Sequence, residues 1–291
     1  MTDTDRSPPE TPLPEKELIE IEREAVELAT LAGARIRTAL GRTLAVRYKT
    51  GAEEDSLRDP VSEVDHDVEA LIRARVGELF PGHDVLGEES EERPGRTHDV
   101  AWTIDPIDGT TNFVNGFPLF SASIGVLFRG RPVAGAVWCS TSHALRAGVY
   151  HARTGGILSF ESEAFRPTPI PGVRRRLVGL GAGLDAPGFG WDARKSGSAA
   201  LECAFVAAGL LAAARFETPN VWDVAGGIPL VVAAGGDVRV DQGDGWRPFE
   251  RFVAGTQAGA QAADEADIRH WRGRVALGEP ETVAALCARN D

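Results

Sequence analysis

The sequence predicts a layered α/β fold, and three observations carry that expectation. Two long stretches in the first eighty residues place apolar side chains at helical spacing. A block of apolar, β-prone runs joined by short polar turns follows them. From about residue 176 onward, strand-like and helix-like segments alternate.

Taken in order, Met1 to Pro14 is rich in Ser, Thr, Pro and Asp and reads as a disordered tail, which leaves 15–291 as a single domain. Glu15 to Leu40 carries Leu18, Ile21, Ala25, Leu28, Ala32 and Ile36 on one face and charge on the other, with Gly41 as its stop. Thr43 to Lys49 alternates as a strand does, and Val64 to Phe80 is a second amphipathic helix. Val85-Leu86 is a short strand that delivers Glu88, Glu91 to His98 a polar surface loop, and Val100 to Ile104 a buried strand. Phe120 to Phe128 and Pro132 to Cys139 form a hairpin about Arg129-Gly130-Arg131, with further strands at 144–150 and 156–160. The Pro-rich Arg166 to Pro171 divides subdomains of about 15–165 and 172–291. Beyond it the pattern predicts strands at 176–181, 211–216, 237–240 and 251–254, with helices at 196–209, 223–234 and 264–276.

Composition narrows the function classes. With 291 residues, 43% of them hydrophobic, the chain can bury a full core, and no run of 18 apolar residues suggests a membrane span. A net charge of −12 argues against nucleic acid as the main partner. Cys139, Cys203 and Cys287 are widely spaced in apolar contexts, as core thiols are, and fit a reducing cytoplasm. His143 and His151 lack metal-ligand spacing and read as structural.

The chemistry concentrates in Asp105-Pro-Ile-Asp108-Gly-Thr-Thr-Asn112-Phe. Two carboxylates three residues apart across a proline can aim at one point and leave the Ile107 carbonyl as a third oxygen. An all-oxygen set suits a hard divalent cation such as Mg²⁺. Gly109 lets an anion approach the backbone, and Thr110-Thr111 opens a short helix whose N–H groups suit phosphate. Taken alone, an Asp-rich surface turn explains the string equally well. Two further acidic stretches favour the chemical reading: Asp59-Pro-Val-Ser-Glu-Val-Asp65 with Leu86-Gly-Glu88-Glu89-Ser90, and Val221-Trp-Asp223-Val-Ala-Gly-Gly227.

Together, in this order, these motifs resemble the inositol monophosphatase family, over roughly Lys49 to Gly236. The resemblance implies an αβαβα sandwich shared with fructose-1,6-bisphosphatases, a lithium-sensitive phosphomonoesterase and two or three Mg²⁺ ions. It implies that Glu88, Asp105 and the Ile107 carbonyl hold one ion, while Asp105, Asp108 and Asp223 hold another. Asp65, a helix cap on its own evidence, is given a second role with Thr110 in orienting the attacking water. Glu88 joins them as catalytic. Gly109 and Thr110 would hold phosphate oxygens, with Asp108 and Asp223 lining the substrate site. Ala199, in Gly197-Ser-Ala-Ala200, would lie beside the substrate ring, and Glu217 would bond a sugar hydroxyl. The Glu217 spacing to Asp223 is one residue short of the family pattern, so an ordinary surface Glu stays an open alternative. Lys49 matches a loop lysine near the metals, although Gly51-Ala-Glu-Glu-Asp-Ser lengthens its loop, and a surface lysine stays equally open.

The expected activity is hydrolysis of inositol monophosphate or a related sugar or polyol phosphate by metal-activated water, without a covalent intermediate, in a cytoplasmic homodimer. Fructose-1,6-bisphosphate and histidinol phosphate are alternative substrates, and a non-catalytic binding protein on the same fold is an alternative class. The D-x-x-D spacing separates the chain from haloacid-dehalogenase phosphatases, which use D-x-D. No G-x-S-x-G or D-x-D-x-D-G string occurs, which argues against a serine hydrolase and a Ca²⁺ loop.

Overall fold

The structure is a computed structural model that describes residues 12–40, 46–48, 60–90, 98–168, 172–173, 176–181, 190–253 and 268–288. Lys49 with its 49–58 loop, Asp59, Gly41, most of the 1–14 tail, the 91–97 stretch and residues 169–171 lie outside them.

Five layers alternate, α, β, α, β, α. The first is made by α1 (Glu15–Ala39) and α2 (Glu63–Leu79). Every one of the six apolar α1 positions singled out above is buried. The second layer is a seven-stranded sheet: β3 (Asp84–Gly87), β4 (Val100–Asp108), β5 (Ser121–Phe128), β6 (Arg131–Cys139), β7 (Gly148–Arg153), β8 (Ser159–Phe160) and β9 (Glu163–Ala164), in that order. Only the β3–β4 pair is parallel. Trp102, Ile104, Ile124, Ala136 and Trp138 of this sheet pack onto α1 and α2. The strand pair β1 (Val46–Tyr48) and β2 (Pro60–Ser62) stands beside it. A short helix, α3 (Thr110–Val114), follows β4 directly.

The middle layer holds α4 (Ala199–Ala207), α5 (Val221–Ala225) and α6 (Ile228–Ala233). Their apolar residues meet Leu127, Val137 and Tyr150 on one side and Phe216, Val240 and Leu277 on the other. The fourth layer is a six-stranded mixed sheet whose strands, in spatial order, are β11 (Trp191–Arg194), β10 (Arg176–Leu180), β12 (Ala213–Phe216), β15 (Arg274–Gly278), β13 (Asp237–Asp241) and β14 (Arg247–Pro248). The last layer, α7 (Pro280–Cys287), covers Val178, Ala213 and Ala276. Among the described residues no helix is long and apolar enough to cross a membrane.

Several expected elements differ. The 223–234 helix is two, because Pro229 has no N–H to bond back to Ala225 and instead opens a new helix in its first turn. Of the helix expected at 264–276, residues 264–267 lie outside the described ones, and the rest is instead a 3₁₀ turn (Ile268–His270) and the start of the central strand β15. Val275, Ala276 and Leu277 are fully buried between two cores, and a run buried on both faces shows no alternation to read. The strand expected at 251–254 is absent over 251–253, where Phe252 makes one ladder-like bond, to Gly130 O at 2.9 Å. The strand expected from 144 starts at Gly148, because Ser142 ties 142–146 into a turn through its 2.6 Å bond to Arg146 O. Strand β11 and helix α7 were not anticipated.

Candidate active site

β4 lies inside the first sheet and carries both aspartates to its C-terminal end. In a regular strand, residues three apart face opposite sides. Here the pairing with β5 slips between Asp105, opposite Ser123, and Asp108, opposite Ser121. Three residues thus span what two span on β5, and the extra one sits at Pro106-Ile107, where proline has no N–H to give the ladder. The bulge is what lets both carboxylates reach the same side. Gly109 then turns the chain at φ +92°, a conformation that favours glycine, into α3.

Other elements bring the remaining acids. Glu88 follows β3 directly, its N–H bonded to Ile104 O at 3.1 Å. Asp223 lies in the first turn of α5, where its Oδ2 accepts the Asn220 N–H at 2.7 Å. Three glycines make that delivery possible. A Cβ on Gly135 would stand 2.0 Å from Gly226 O, and those on Gly125 and Gly226 would meet backbone or Ser123 in the same way. The turn that carries Asp223 is therefore pressed flush against β5 and β6.

The result is a buried, like-charged cluster. Asp105 is 2% exposed and its Oδ1 has no hydrogen-bond partner. Burial first, then the charges of Glu88, Asp108 and Asp223, push its carboxyl well above the usual range. Asp108 is pushed to about 6 by burial, against the help of its donors Ser198 Oγ at 2.7 Å and Ala200 N at 2.5 Å. Ala199 also turns its N–H on Asp108. Behind the cluster lie the buried thiols of Cys139 and Cys203, both raised by burial and then by neighbouring carboxylates.

Asp65 caps α2 and also meets Thr110. Its Oδ2 completes a capping box on Ser62 N at 2.8 Å and Ser62 Oγ at 2.5 Å, while its Oδ1 lies 3.3 Å from Thr110 Oγ1. The same hydroxyl is 2.8 Å from Ile107 O, so its single proton serves one acceptor at a time. Burial pushes Asp65 to about 6.

Glu217 is taken up elsewhere. Its carboxylate accepts from Arg215 Nε at 2.7 Å and stands 3.9 Å from Arg274. Arg215 points to the α7 side of β12, where it also donates to Leu286 O, while Phe216 faces the middle layer. Glu217→Gln should cost on the order of 1–2 kcal/mol of stability, less than a fully buried pair because Glu217 is partly solvated. The Michaelis constant should stay within about twofold of the parent, since the lost contact is an ion pair with arginine. Thermal melts and steady-state kinetics on the same preparation would check both.

Three contributors escaped the sequence reading. Ser198 bonds Asp108, Asn112 Nδ2 ties α3 to Leu119 O and Ser196 O, and Glu69 accepts the Glu89 N–H at 2.7 Å. For Glu69 a signal existed, because it follows Asp65 by one helical turn on the same buried face.

The donor set fits a hard cation. The side chains gathered there offer carboxylate oxygens, and the orphaned Asp105 Oδ1 is what a buried anion looks like when its counter-charge is an ion rather than a side chain. Among the described residues no three acidic, His or Cys side chains close into a finished cage, because Asp108 and Asp223 rest on backbone and serine donors.

The Inositol monophosphatase family model matches residues 17–176 and 171–275. The chain belongs to this family. Its members named inositol-1-monophosphatase are phosphoric monoester hydrolases. Over 252 residues the chain is 32% identical to the inositol-1-monophosphatase of Mycobacterium bovis, covering 77% of this chain and 85% of that one. Over 248 residues it is 31% identical to the chloroplastic phosphatase IMPL1 of Arabidopsis thaliana, covering 79% of this chain and 65% of that longer one. Among solved structures, a staphylococcal inositol monophosphatase II with inositol monophosphate bound superposes with a TM-score of 0.64 at 25% identity, covering 92% of each chain.

The raised carboxyls set a pH dependence. A folded-state pKa above the unfolded value means the native protein binds protons more tightly, so that contribution to stability is lost as pH rises through about 6. A cation must displace those protons at low pH. The rise in Tm on adding Mg²⁺ should therefore be larger near pH 7.5 than near pH 5.5, as differential scanning calorimetry would show. A larger rise at the lower pH would contradict it.

Proposed function

We propose that this protein is a Mg²⁺-dependent phosphomonoesterase acting on inositol monophosphate or a related polyol phosphate by direct attack of water. The observation that carries the reading is the unpartnered Asp105 Oδ1 at the centre of four buried or half-buried carboxylates, one turn from the N-terminus of α3. Glu88, Asp105, the Ile107 carbonyl, Asp108 and Asp223 would hold the cations. Once bound, such ions supply positive charge that acidifies water and offsets phosphate charge.

The chain's own groups do the rest. Gly109 and the first N–H groups of α3, which have no partner one turn earlier in the helix, would hold phosphate oxygens. Thr110 Oγ1 and Asp65 Oδ1 together orient a water for in-line attack, and Asp65 can hold the proton that this water gives up. Ala199, at the head of α4, places small side-chain bulk where a polyol ring would sit. A polyol leaving group is supported by the inositol monophosphate bound in one staphylococcal structure, while the 2′-AMP bound in another of the same protein makes a nucleoside monophosphate the second candidate.

Phosphate release from inositol-1-phosphate, fructose-1,6-bisphosphate, histidinol phosphate and adenosine 3′,5′-bisphosphate, each with Mg²⁺ and with chelator, tests this. Mg²⁺-dependent turnover of inositol-1-phosphate above the other three is expected. A folded protein silent on all four would favour the non-catalytic alternative.

A further inference from the structure

One side chain outside the carboxylate set touches both halves of the site. Arg269 lies in the 3₁₀ turn Ile268–His270, on the second half of the chain. Its Nη2 donates to Gly87 O at 2.6 Å and to Ser90 O at 2.8 Å, the two carbonyls that bracket Glu88 and Glu89. Its guanidinium carbon also stands 5.2 Å from the centre of the Trp222 ring, next in sequence to Asp223. On the far side of the same loop, Glu69 accepts the Glu89 N–H at 2.7 Å and is itself paired with Arg73 at 3.0 Å. A Cβ on Gly87 would fall 2.2 Å from the Glu69 carboxylate, so the loop is gripped closely from that face too.

Resting on the cation reading above, we propose that Arg269 is a positioning residue that holds the Glu88 turn in register with the Trp222-Asp223 helix and so prepares the cation site before an ion arrives. The need for such a clamp is physical. Glu88 comes from the first sheet and Asp223 from the middle layer, and like charges drive them apart when no cation is present. A guanidinium stays charged at every working pH and offers a planar fork. Its planar face can stack on an indole while its edge bridges two carbonyls, a pre-organised geometry that a compact ammonium does not offer.

Geometry and bulk charge make opposite predictions, and that separates the proposal from a generic electrostatic effect. Removing a positive charge beside an acidic cluster should, by Coulomb attraction alone, tighten cation binding. Removing a positioning contact behind a metal ligand weakens it, by about 10–100-fold. Arg269→Met and Arg269→Lys, with the parent protein, would be titrated with MgCl₂ alone by isothermal calorimetry, and the Mg²⁺ dependence of Tm would be followed in parallel. We expect Arg269→Met to raise the Mg²⁺ dissociation constant about tenfold or more, with Arg269→Lys between it and the parent. At saturating Mg²⁺ the turnover number should change less than the Mg²⁺ requirement. Unchanged or tighter Mg²⁺ binding in folded Arg269→Met would overturn the proposal while the parent's own binding still upheld the cation reading. If Arg269→Met did not fold, Arg269→Lys with parent-like Mg²⁺ affinity would overturn it equally. A parent protein that binds no Mg²⁺ would overturn both.

Discussion

Replacing Asp105 with asparagine should abolish turnover and, in the absence of divalent cations, raise the melting temperature. The two effects have one cause. Asp105 is 2% exposed, its Oδ1 has no partner, and Glu88, Asp108 and Asp223 all act on it with the same sign of charge. Asparagine keeps the shape, removes the charge and adds a donor that can face Glu88. The cation-free cluster then loses its most deeply buried source of repulsion. Catalysis loses the carboxylate proposed to bridge both ions. Loss of several kcal/mol of transition-state stabilisation corresponds to on the order of a thousandfold or more in rate. Melting in chelator and in Mg²⁺, with turnover on inositol-1-phosphate, would check it. A folded variant with near-parental turnover, or with a lower Tm in chelator, would sink the argument.

The second large effect is expected far from any carboxylate. Gly135→Ala should destabilise the protein by about 2–3 kcal/mol and lower Tm by roughly 4–12 °C. The new methyl would meet Gly226 O, a backbone atom that cannot rotate away. To make room, the turn ahead of α6 must lift from the sheet, and Asp223 on the preceding α5 lifts with it. Activity at saturating substrate should therefore fall as well, even at temperatures where the variant stays folded. Gly77→Ala is the control. Gly77 sits inside α2 with open space where a Cβ would go, so alanine there should stabilise by about 0.5–1 kcal/mol. Equal outcomes for the two substitutions would show that the close approach at 135 carries no structural weight.

How much of this was legible in the sequence depends on how local each feature is. The spacing of Asp105 and Asp108 around Pro106 was enough to foresee a shared side, although the strand expected to end at Ile104 runs on to Asp108 and reaches that side through a bulge. α1 and α2 were legible because each buries one face only. β15 was not, because burial on both faces erases the alternation that marks a strand. The position of Glu217 turns on a period of two: the side chain one place earlier, Phe216, faces the middle layer, and Glu217 follows Arg215 to the other side. Arg269 could not have been found by spacing at all. It meets Gly87 across 182 residues of chain, and only the closure of the layers puts them together.

The thiols behind the cluster bear on which elements the cleft will accept. Cys139 and Cys203 sit close enough to the acids for those charges to help keep them protonated. A neutral thiol is a poor ligand, and thiolate is what gives zinc or cuprous ions their hold on a protein. The negative charge that attracts a hard ion thus also silences the soft donors beside it. Magnesium is weakly held by comparison with most transition metals, so if it is the ion used, as proposed, the site gains from disarming nearby sulfur.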